Sequence, residues 1–218
     1  MGAQHSGDMT VRAVPPRVDH LIYVAADLRR GMEEIEDLLG VRPVAGGRHP
    51  QYGTCNALLA LGPETYLEVI APDPGLPPPP RGVLFAGACS GESRLATWVL
   101  NAEPIEEAVS GARSIGLGEI CDGSREQADG TVLAWRLTDP YAMPYDGAVP
   151  FLISWGRTPH PATVAPAGGT LVGLRVEHPE PAGVSRALEV LGVAMEVSNE
   201  REFRLIATIE TTNAVIEL

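Results

Sequence analysis

Apolar residues recur with a helical period in three segments of the chain. In residues 28–39, 105–115 and 184–191, apolar side chains fall every three or four positions, and mostly polar side chains lie between them. A stripe of this kind is typical of an amphipathic helix whose apolar face packs against a core. The pattern therefore predicts three helices, spaced along the chain.

A glycine closes each of the three predicted helices, and the interval between the glycines is constant. Gly40, Gly116 and Gly192 follow one another at intervals of 76 residues. Glycine often ends a helix because it adopts the left-handed conformation without a steric penalty. A constant interval between equivalent signals indicates an internal repeat, so we interpret the chain as three copies of one unit.

Strand-like segments surround each predicted helix in the same order. Short, mostly apolar runs precede the helices at residues 20–24, 96–100 and 171–176. Turn-bounded segments typical of strands follow the helices. They cover residues 42–45, 54–61 and 65–70 in the first copy, 132–137 and 151–155 in the second, and 203–209 and 214–218 in the third. Each copy is therefore predicted to be a βαβββ unit.

Two proline-rich segments divide the copies. The first contains Pro77 to Pro80, and consecutive prolines can form neither a helix nor a central strand. The second is rich in proline, alanine and glycine. The predicted organisation is a loose leader at residues 1–17, a first unit at 18–72, a linker at 73–94, a second unit at 95–156, a linker at 157–169 and a third unit at 170–218.

Composition and charge narrow the class of protein. Of the 218 residues, 44% are hydrophobic and 20% are charged, as in ordinary globular proteins. The net charge of −12 argues against a nucleic-acid partner. No apolar run reaches the roughly 20 residues that a membrane span requires. Three cysteines without CxxC spacing support neither a disulfide framework nor a zinc knuckle. We therefore expect a cytoplasmic protein without membrane or nucleic-acid partners, and the absence of lysine is typical of a GC-rich bacterial genome.

The first unit places two candidate metal ligands on one face of its sheet. Alternate side chains of a strand share a face, so His20 lies with Ile22 and Val24, and Glu68 lies with Tyr66 and Ile70. If the first and last strands of the unit are neighbours, His20 and Glu68 lie side by side. An imidazole beside a carboxylate is half of a divalent metal site. A buried histidine that is merely hydrogen-bonded to a glutamate fits the same pattern.

Several short motifs are similar to those of a known family. They are Asp19 to Val24 (DHLIYV), residues 46–50 (GGRHP), residues 53–59 (GTCNALL), residues 65–72 (TYLEVIAP), residues 150–156 (PFLISWG) and residues 174–179 (LRVEHP). Together they resemble the glyoxalase-like domain of the vicinal-oxygen-chelate superfamily, which includes the bleomycin-resistance proteins and dioxygenases. The resemblance covers residues 18–218 and is more specific for the fold than for the reaction.

The resemblance implies an α+β fold in which repeated βαβββ units form cupped mixed sheets, with the helices outside. It also implies a metal ion in the cup, held by one residue from the first strand and one from the last strand of each unit. The first unit fills both places with His20 and Glu68. At the 76-residue offset, the second unit offers only Ala96 and an apolar residue near Ile153, whereas the third offers Glu217.

The expected cofactor depends on which two units form the cup. If the first unit pairs with the third, His20, Glu68 and Glu217 would form a three-ligand site for Zn, Mn, Ni or Fe. If it pairs with the second, two ligands remain. A loop residue such as His49 would then have to complete the site, or the protein would bind no metal.

The glycine-rich segment 46–53 and the strand after it carry further candidates. Arg48 offers a planar fork for a substrate carboxylate or phosphate, and His49 could act as an acid or base, because unperturbed imidazole titrates near neutral pH. An ordinary turn with a solvated arginine and histidine is the alternative. Asn56 could orient a substrate carbonyl group, and Trp155 could line the cup or fill its core.

Two functions follow from these candidates. The first is a lyase or isomerase in which a divalent metal chelates vicinal oxygens of a small substrate, and in which Glu68 or Glu217 moves a proton. The second is a metal-free protein of the bleomycin-resistance type that binds and sequesters a small molecule. Assembly as a homodimer is compatible with both.

Overall fold

The computed structural model describes residues 17–126 and 132–218. The predicted leader lies outside the described residues except for Arg17. Twelve strands and four helices follow one another in the described part of the chain, together with short 3₁₀ turns.

The three units have the same order of elements. The first contains β1 (Val18–Val24), α1 (Leu28–Leu39), β2 (Val44–His49), β3 (Thr54–Ala60) and β4 (Tyr66–Pro72). After the short helix α2 (Ala86–Cys89), the second contains β5 (Arg94–Asn101), α3 (Ile105–Gly111), β6 (Ile120–Glu126), β7 (Val132–Thr138) and β8 (Phe151–Ser154). The third contains β9 (Thr170–His178), α4 (Pro181–Val190), β10 (Glu196–Asn199), β11 (Arg204–Glu210) and β12 (Val215–Glu217).

The first two units close into one barrel. Its strand order is β1-β4-β3-β2-β6-β7-β8-β5, and β5 pairs back onto β1. In the first unit the first strand β1 runs parallel to the last strand β4, and in the second unit β5 runs parallel to β8. The first unit therefore pairs with the second, and the adjacency of strands that would bring His20 and Glu68 together is present.

The third unit forms a separate four-stranded sheet with the order β10-β9-β11-β12. In this sheet the unit's first strand, β9, lies between β10 and β11, whereas in the first unit the first strand lies beside the last. The last strand, β12, is at the edge of the sheet. The face that carries Leu174, Val176 and Ala207 belongs to the same apolar cluster as the outer surface of the barrel. The third unit therefore packs on the outside of the barrel and encloses none of its interior.

Two apolar cores divide the buried side chains. The first lies between the barrel wall, the helices and the third sheet, and the helical stripe of α1 contributes Ile35 and Leu39 to it. The second lies inside the barrel and contains Ile22, Ile70 and Phe151. The predicted α+β architecture of repeated units, with curled sheets inside and helices outside, is confirmed.

The repeat glycines have the conformation that their position predicts. Gly40, Gly116 and Gly192 have φ values of 75°, 73° and 69°. Gly40 caps α1, and Gly116 follows a 3₁₀ turn. The constant interval therefore marks equivalent helix ends in the repeated units.

Three local predictions differ from the structure, since β10 (Glu196–Asn199) of the third unit was also not predicted. The second strand, predicted at residues 42–45, is Val44–His49, so the first half of the expected glycine-rich loop belongs to a strand. β6 was not predicted, because its sequence ICDGSRE lacks the apolar alternation of a half-buried strand. Among the described residues, no helix is long and apolar enough to cross a membrane.

Candidate active site

The interior of the barrel holds a cavity with a mostly aromatic and apolar wall. The unfilled space between the lining atoms is about 530 Å³, which includes the part that is open to solvent. Its polar lining comes from β1 to β4 and β6, and the second unit contributes mainly apolar side chains. The lining residues are His20, Ile22, His49, Tyr52, Asn56, Tyr66, Glu68, Ile70, Leu84, Phe85, Arg125, Trp135, Leu137, Pro140, Phe151, Ile153 and Trp155.

His20 and Glu68 meet in this cavity. Residues 20 and 68 point inward from the adjacent parallel strands β1 and β4, where Ile22 is the register partner of Glu68. The Nε2 atom of His20 lies 3.5 Å from Oε2 of Glu68. The His20 ring also stacks on Tyr66, with ring centroids 4.5 Å apart. The predicted pair is therefore assembled, and its two functional atoms face each other.

Asp19 fixes the orientation of His20. Its Oδ1 accepts a hydrogen bond from Nδ1 of His20 at 2.7 Å, and its Oδ2 accepts one from Nε1 of Trp155 at 2.9 Å. Asn101 donates a third at 3.2 Å, and Nε2 of His160 lies 3.3 Å from Oδ2. A donating Nδ1–H leaves Nε2 of His20 as the atom that faces Glu68.

The same contacts explain the charge state of Asp19. The residue is only 1% exposed, and burial alone would raise the pKa of its carboxyl group. His160 and His20 outweigh burial and hold the pKa well below its ordinary range. A buried carboxylate with four polar neighbours therefore joins the two units, because Trp155 and Asn101 belong to the second unit.

Asn56 and Arg125 continue this polar chain on the other side of Glu68. Nδ2 of Asn56 donates to Oε1 of Glu68 at 2.5 Å, and Oδ1 of Asn56 accepts from Nη1 of Arg125 at 3.1 Å. The structure thus places the predicted Asn56 in the site, where it holds the carboxylate. The sequence analysis missed Arg125, because the polar strand that carries it was not recognised. The available signal was that Gly123 and Arg125 are two positions apart, as residues on the same face of a strand are.

His49 lines the cavity but is not the near-neutral base that we expected. It is buried on β2, and its Nδ1 lies 3.1 Å from the Thr54 hydroxyl. Burial lowers the pKa of His49 to about 4; Glu68 opposes the change, and Arg125 and His20 add to it. The imidazole of His49 is therefore neutral at physiological pH and can accept or donate a hydrogen bond without charge.

This shift predicts that the stability falls as the solution becomes acidic. Between the unfolded pKa of 6.5 and the folded pKa of about 4, the unfolded chain binds more protons at His49, so lowering the pH favours unfolding. The contribution is about 3 kcal/mol between pH 7 and pH 4. Between pH 7 and pH 4, we expect the free energy of unfolding of His49→Gln to fall by about 3 kcal/mol less than that of wild type. Urea unfolding at both pH values measures the two changes. Equal losses in the two proteins would contradict the assignment.

Arg48 and Glu217 do not reach the cavity, contrary to our predictions for them. Arg48 lies on β2 next to the inward-facing His49, so strand alternation turns it outward, where its Nε bonds Oδ2 of Asp73 at 2.5 Å. Glu217 lies on the edge strand β12, and its Oε2 is 3.5 Å from Nη2 of Arg175. Trp155 does line the cavity, although its indole N–H is bound to Asp19.

The donor set does not fit the predicted metal ion. Without Glu217, the triad reduces to His20 and Glu68, and no group of three His, Cys, Asp or Glu side chains within residues 17–126 and 132–218 is arranged to hold a metal. Catalytic Zn and related ions are held by about three protein ligands. The oxygen of Glu68 that does not face His20 is already bound to Asn56. The described side chains therefore bring His20 and Glu68 together but do not form a resident Zn, Mn, Ni or Fe site.

The linker between the first two units forms part of the cavity wall. Leu84 and Phe85, just before α2, line the cavity. Arg81 makes two hydrogen bonds to Asp139, at 2.8 and 2.9 Å, and its guanidinium lies 4.2 Å from the ring centre of Tyr141. The linker is therefore tied to the loop that follows β7.

Comparison with known proteins agrees with this geometry. The family model of the glyoxalase-like domain matches residues 18–192, which is most of the chain. The chain belongs to the glyoxalase-like domain family. The match spans the whole barrel and the start of the third unit, so the superfamily resemblance of the sequence motifs is confirmed. No curated protein matches the chain.

The chain is similar to several solved structures at low sequence identity. A hypothetical protein from Staphylococcus aureus superposes with a TM-score of 0.61 at 16% identity, covering 92% of this chain and 83% of that one. Methylmalonyl-CoA epimerase from Mycobacterium tuberculosis gives a TM-score of 0.41 at 18% identity, over 67% and 91% of the two chains. Methylmalonyl-CoA epimerase from Streptomyces coelicolor gives a TM-score of 0.43 at 13% identity, covering 65% of this chain and 98% of that one. The Staphylococcus protein covers the third unit as well, which supports the fold of nearly the whole chain.

Proposed function

We propose that this glyoxalase-like protein is a small-molecule enzyme of the isomerase or lyase type, in which Glu68 transfers a proton on a ligand bound in the barrel cavity. The observation that carries the proposal is the position of the Glu68 carboxylate. It is 7% exposed, lines the cavity and lies between Asn56 and a histidine whose orientation is fixed by a buried aspartate. A base held on both sides in an apolar enclosure is suited to proton abstraction next to a carbonyl group.

The proposed step uses only groups of this chain. Oε2 of Glu68 takes the proton from a carbon beside the carbonyl group, and the electron pair of the C–H bond moves to the carbonyl oxygen and gives an enolate. The neutral His49 donates a hydrogen bond to that oxygen. Return of the proton from Glu68 to another carbon of a conjugated enolate, on the same face, completes an isomerisation, and loss of a leaving group from the next carbon completes an elimination.

His20 holds the proton-transfer group in position. Its Nε2, 3.5 Å from Oε2 of Glu68, exchanges a proton with the carboxylate, while the hydrogen bond from Nδ1 to Asp19 fixes the orientation of the ring. The predicted use of a divalent metal has less support, because only two of the expected ligands converge. A metal ion would then need further ligands from the substrate or from water.

A metal-free binding protein is the second candidate. Six aromatic side chains line the cavity, namely Tyr52, Tyr66, Phe85, Trp135, Phe151 and Trp155. Aromatic walls with few polar groups are typical of sites that hold a ligand by burial. In this case Glu68 would orient the ligand and would not take its proton.

Deuterium exchange separates the two candidates. We expect wild-type protein in D₂O to speed the incorporation of deuterium beside the carbonyl group of phenylpyruvate, 4-methyl-2-oxopentanoate or the neutral ketone phenylacetone, above the rate without protein. Mass spectrometry measures the exchange, and elemental analysis of the same sample measures bound metal. Binding without accelerated exchange would overturn the enzyme proposal in favour of sequestration. Near-stoichiometric metal that is lost in His20→Ala would restore the metal-dependent version.

A further inference from the structure

Arg125 is a buried cation on the cavity wall whose hydrogen-bonding capacity is not filled. The residue is 6% exposed and lines the cavity. Its Nη1 bonds the Asn56 amide at 3.1 Å, while its Nε has no hydrogen-bond partner. Within residues 17–125 and 132–218, no carboxylate lies within 4.0 Å of its guanidinium. A buried arginine is normally paired with an anion, because an unpaired buried charge is costly.

The backbone around Arg125 is shaped to hold it at this place. A Cβ atom added to Gly46 on β2 would lie 2.3 Å from Nη1 of Arg125 and 2.3 Å from Oδ1 of Asn56. Only glycine at position 46 leaves room for the contact between the guanidinium and the amide. The neighbouring surface is apolar and aromatic, including Trp135 and Trp155, whose rings lie 5.5 Å apart.

We propose that Arg125 binds the carboxylate of a small organic acid whose flat, apolar body packs among the aromatic side chains of the cavity. The planar guanidinium fork matches a carboxylate and keeps its charge at every physiological pH. This inference rests on the proposed function for the identity of the reacting carbon. Asn56 touches both Arg125 and Glu68, so a carboxylate on the arginine brings the next carbons of the ligand to Glu68: C2 of a 2-substituted acid, or C3 beside the carbonyl group of a 2-oxo acid. The substrate class is therefore an aromatic or branched 2-substituted or 2-oxo carboxylic acid.

Binding of a matched acid and amide tests the inference. Phenylacetate and phenylacetamide share one shape and differ in charge, and both are titrated by isothermal calorimetry and by the fluorescence of Trp135 and Trp155. We expect wild type to bind the acid at least about tenfold more tightly than the amide. Arg125→Gln should weaken the binding of phenylacetate by roughly 10- to 100-fold and should change the dissociation constant of phenylacetamide by less than about threefold. Arg48→Gln, an exposed arginine on the neighbouring strand β2, is the matched control and should change neither.

Two results would overturn the inference. One is a folded Arg125→Gln variant that keeps the preference for the acid; the other is wild type that shows no preference at all. If Arg125→Gln does not fold, Gly46→Ala provides the second variant, because its methyl group displaces the guanidinium, and the same selective loss for the acid is expected. Accelerated deuterium exchange in phenylacetone without any acid preference would refute the role of Arg125 while it supports the proposed proton transfer.

Discussion

Replacing Glu68 with glutamine is expected to slow deuterium exchange in the bound substrate by roughly 10²- to 10⁴-fold, the usual contribution of a positioned general base. Glutamine has the same shape, and its side-chain oxygen can still accept the hydrogen bond from Asn56 that the carboxylate accepts at 2.5 Å. The cavity should therefore keep its form, and the dissociation constant for phenylacetate should change by less than about fivefold. Initial exchange rates and calorimetry on the same preparation measure the two effects.

Glu64→Gln is the control for this experiment, since Glu64 is exposed in the turn before β4 and does not line the barrel cavity. Its exchange rate should equal that of wild type. Retained exchange in a folded Glu68→Gln protein would remove Glu68 from the mechanism. A parallel loss of binding and exchange would indicate that Glu68 holds the ligand and does not act as the base.

Asp19→Ala is expected to lower the free energy of unfolding by about 3 to 5 kcal/mol, because breaking a buried charged network leaves its partners unpaired. The deletion removes the acceptor for His20, Trp155 and Asn101 at once. Two of these partners lie in the second unit, so the loss should loosen the closure of the barrel. Urea unfolding at pH 7, followed by the fluorescence of Trp155, measures the change.

Glu33→Gln provides the comparison for this stability measurement. Glu33 forms an exposed ion pair with Arg29 on α1 at 2.8 Å, and pairs of this kind contribute about 0.2 to 1 kcal/mol. Since the folded protein holds the pKa of Asp19 below its ordinary value, the contribution of Asp19 is present at pH 7 and is lost below pH 4. An Asp19→Ala protein as stable as Glu33→Gln would show that the buried network adds little.

The parts of the site that depend on local spacing could be predicted from the sequence. His20 and Glu68 share a face because strand side chains alternate with a period of two, and this period does not depend on distant contacts. The same reasoning fails for Arg48. Treating residues 46–53 as a loop hid the alternation that turns Arg48 outward and His49 inward.

The parts that depend on long-range packing could not be predicted. The sequence left open whether the first unit pairs with the second or the third, and Glu217 was a ligand only in the latter case. The outer face of the third sheet carries the ion pairs of Arg175 with Glu177 and of Arg204 with Glu177. Enclosing those charges around a cavity would cost more than leaving them in water, whereas the second unit offers Phe151 and Ile153. The pKa of His49 depends on burial and was likewise not visible in the sequence.

The two halves of the barrel have the same topology but not the same chemistry, and this difference has a consequence for stereochemistry. A barrel of two identical halves would admit a ligand in two orientations related by a half-turn and would present either face to the base. Here the proposed base Glu68 lies in the first unit and the proposed anchor Arg125 on β6 of the second, while the last strand of the second unit lines the cavity with the apolar Phe151 and Ile153. Under the proposed function, a ligand held by both groups has a single orientation, so we expect the duplicated fold to act on one enantiotopic face and to yield products of one handedness.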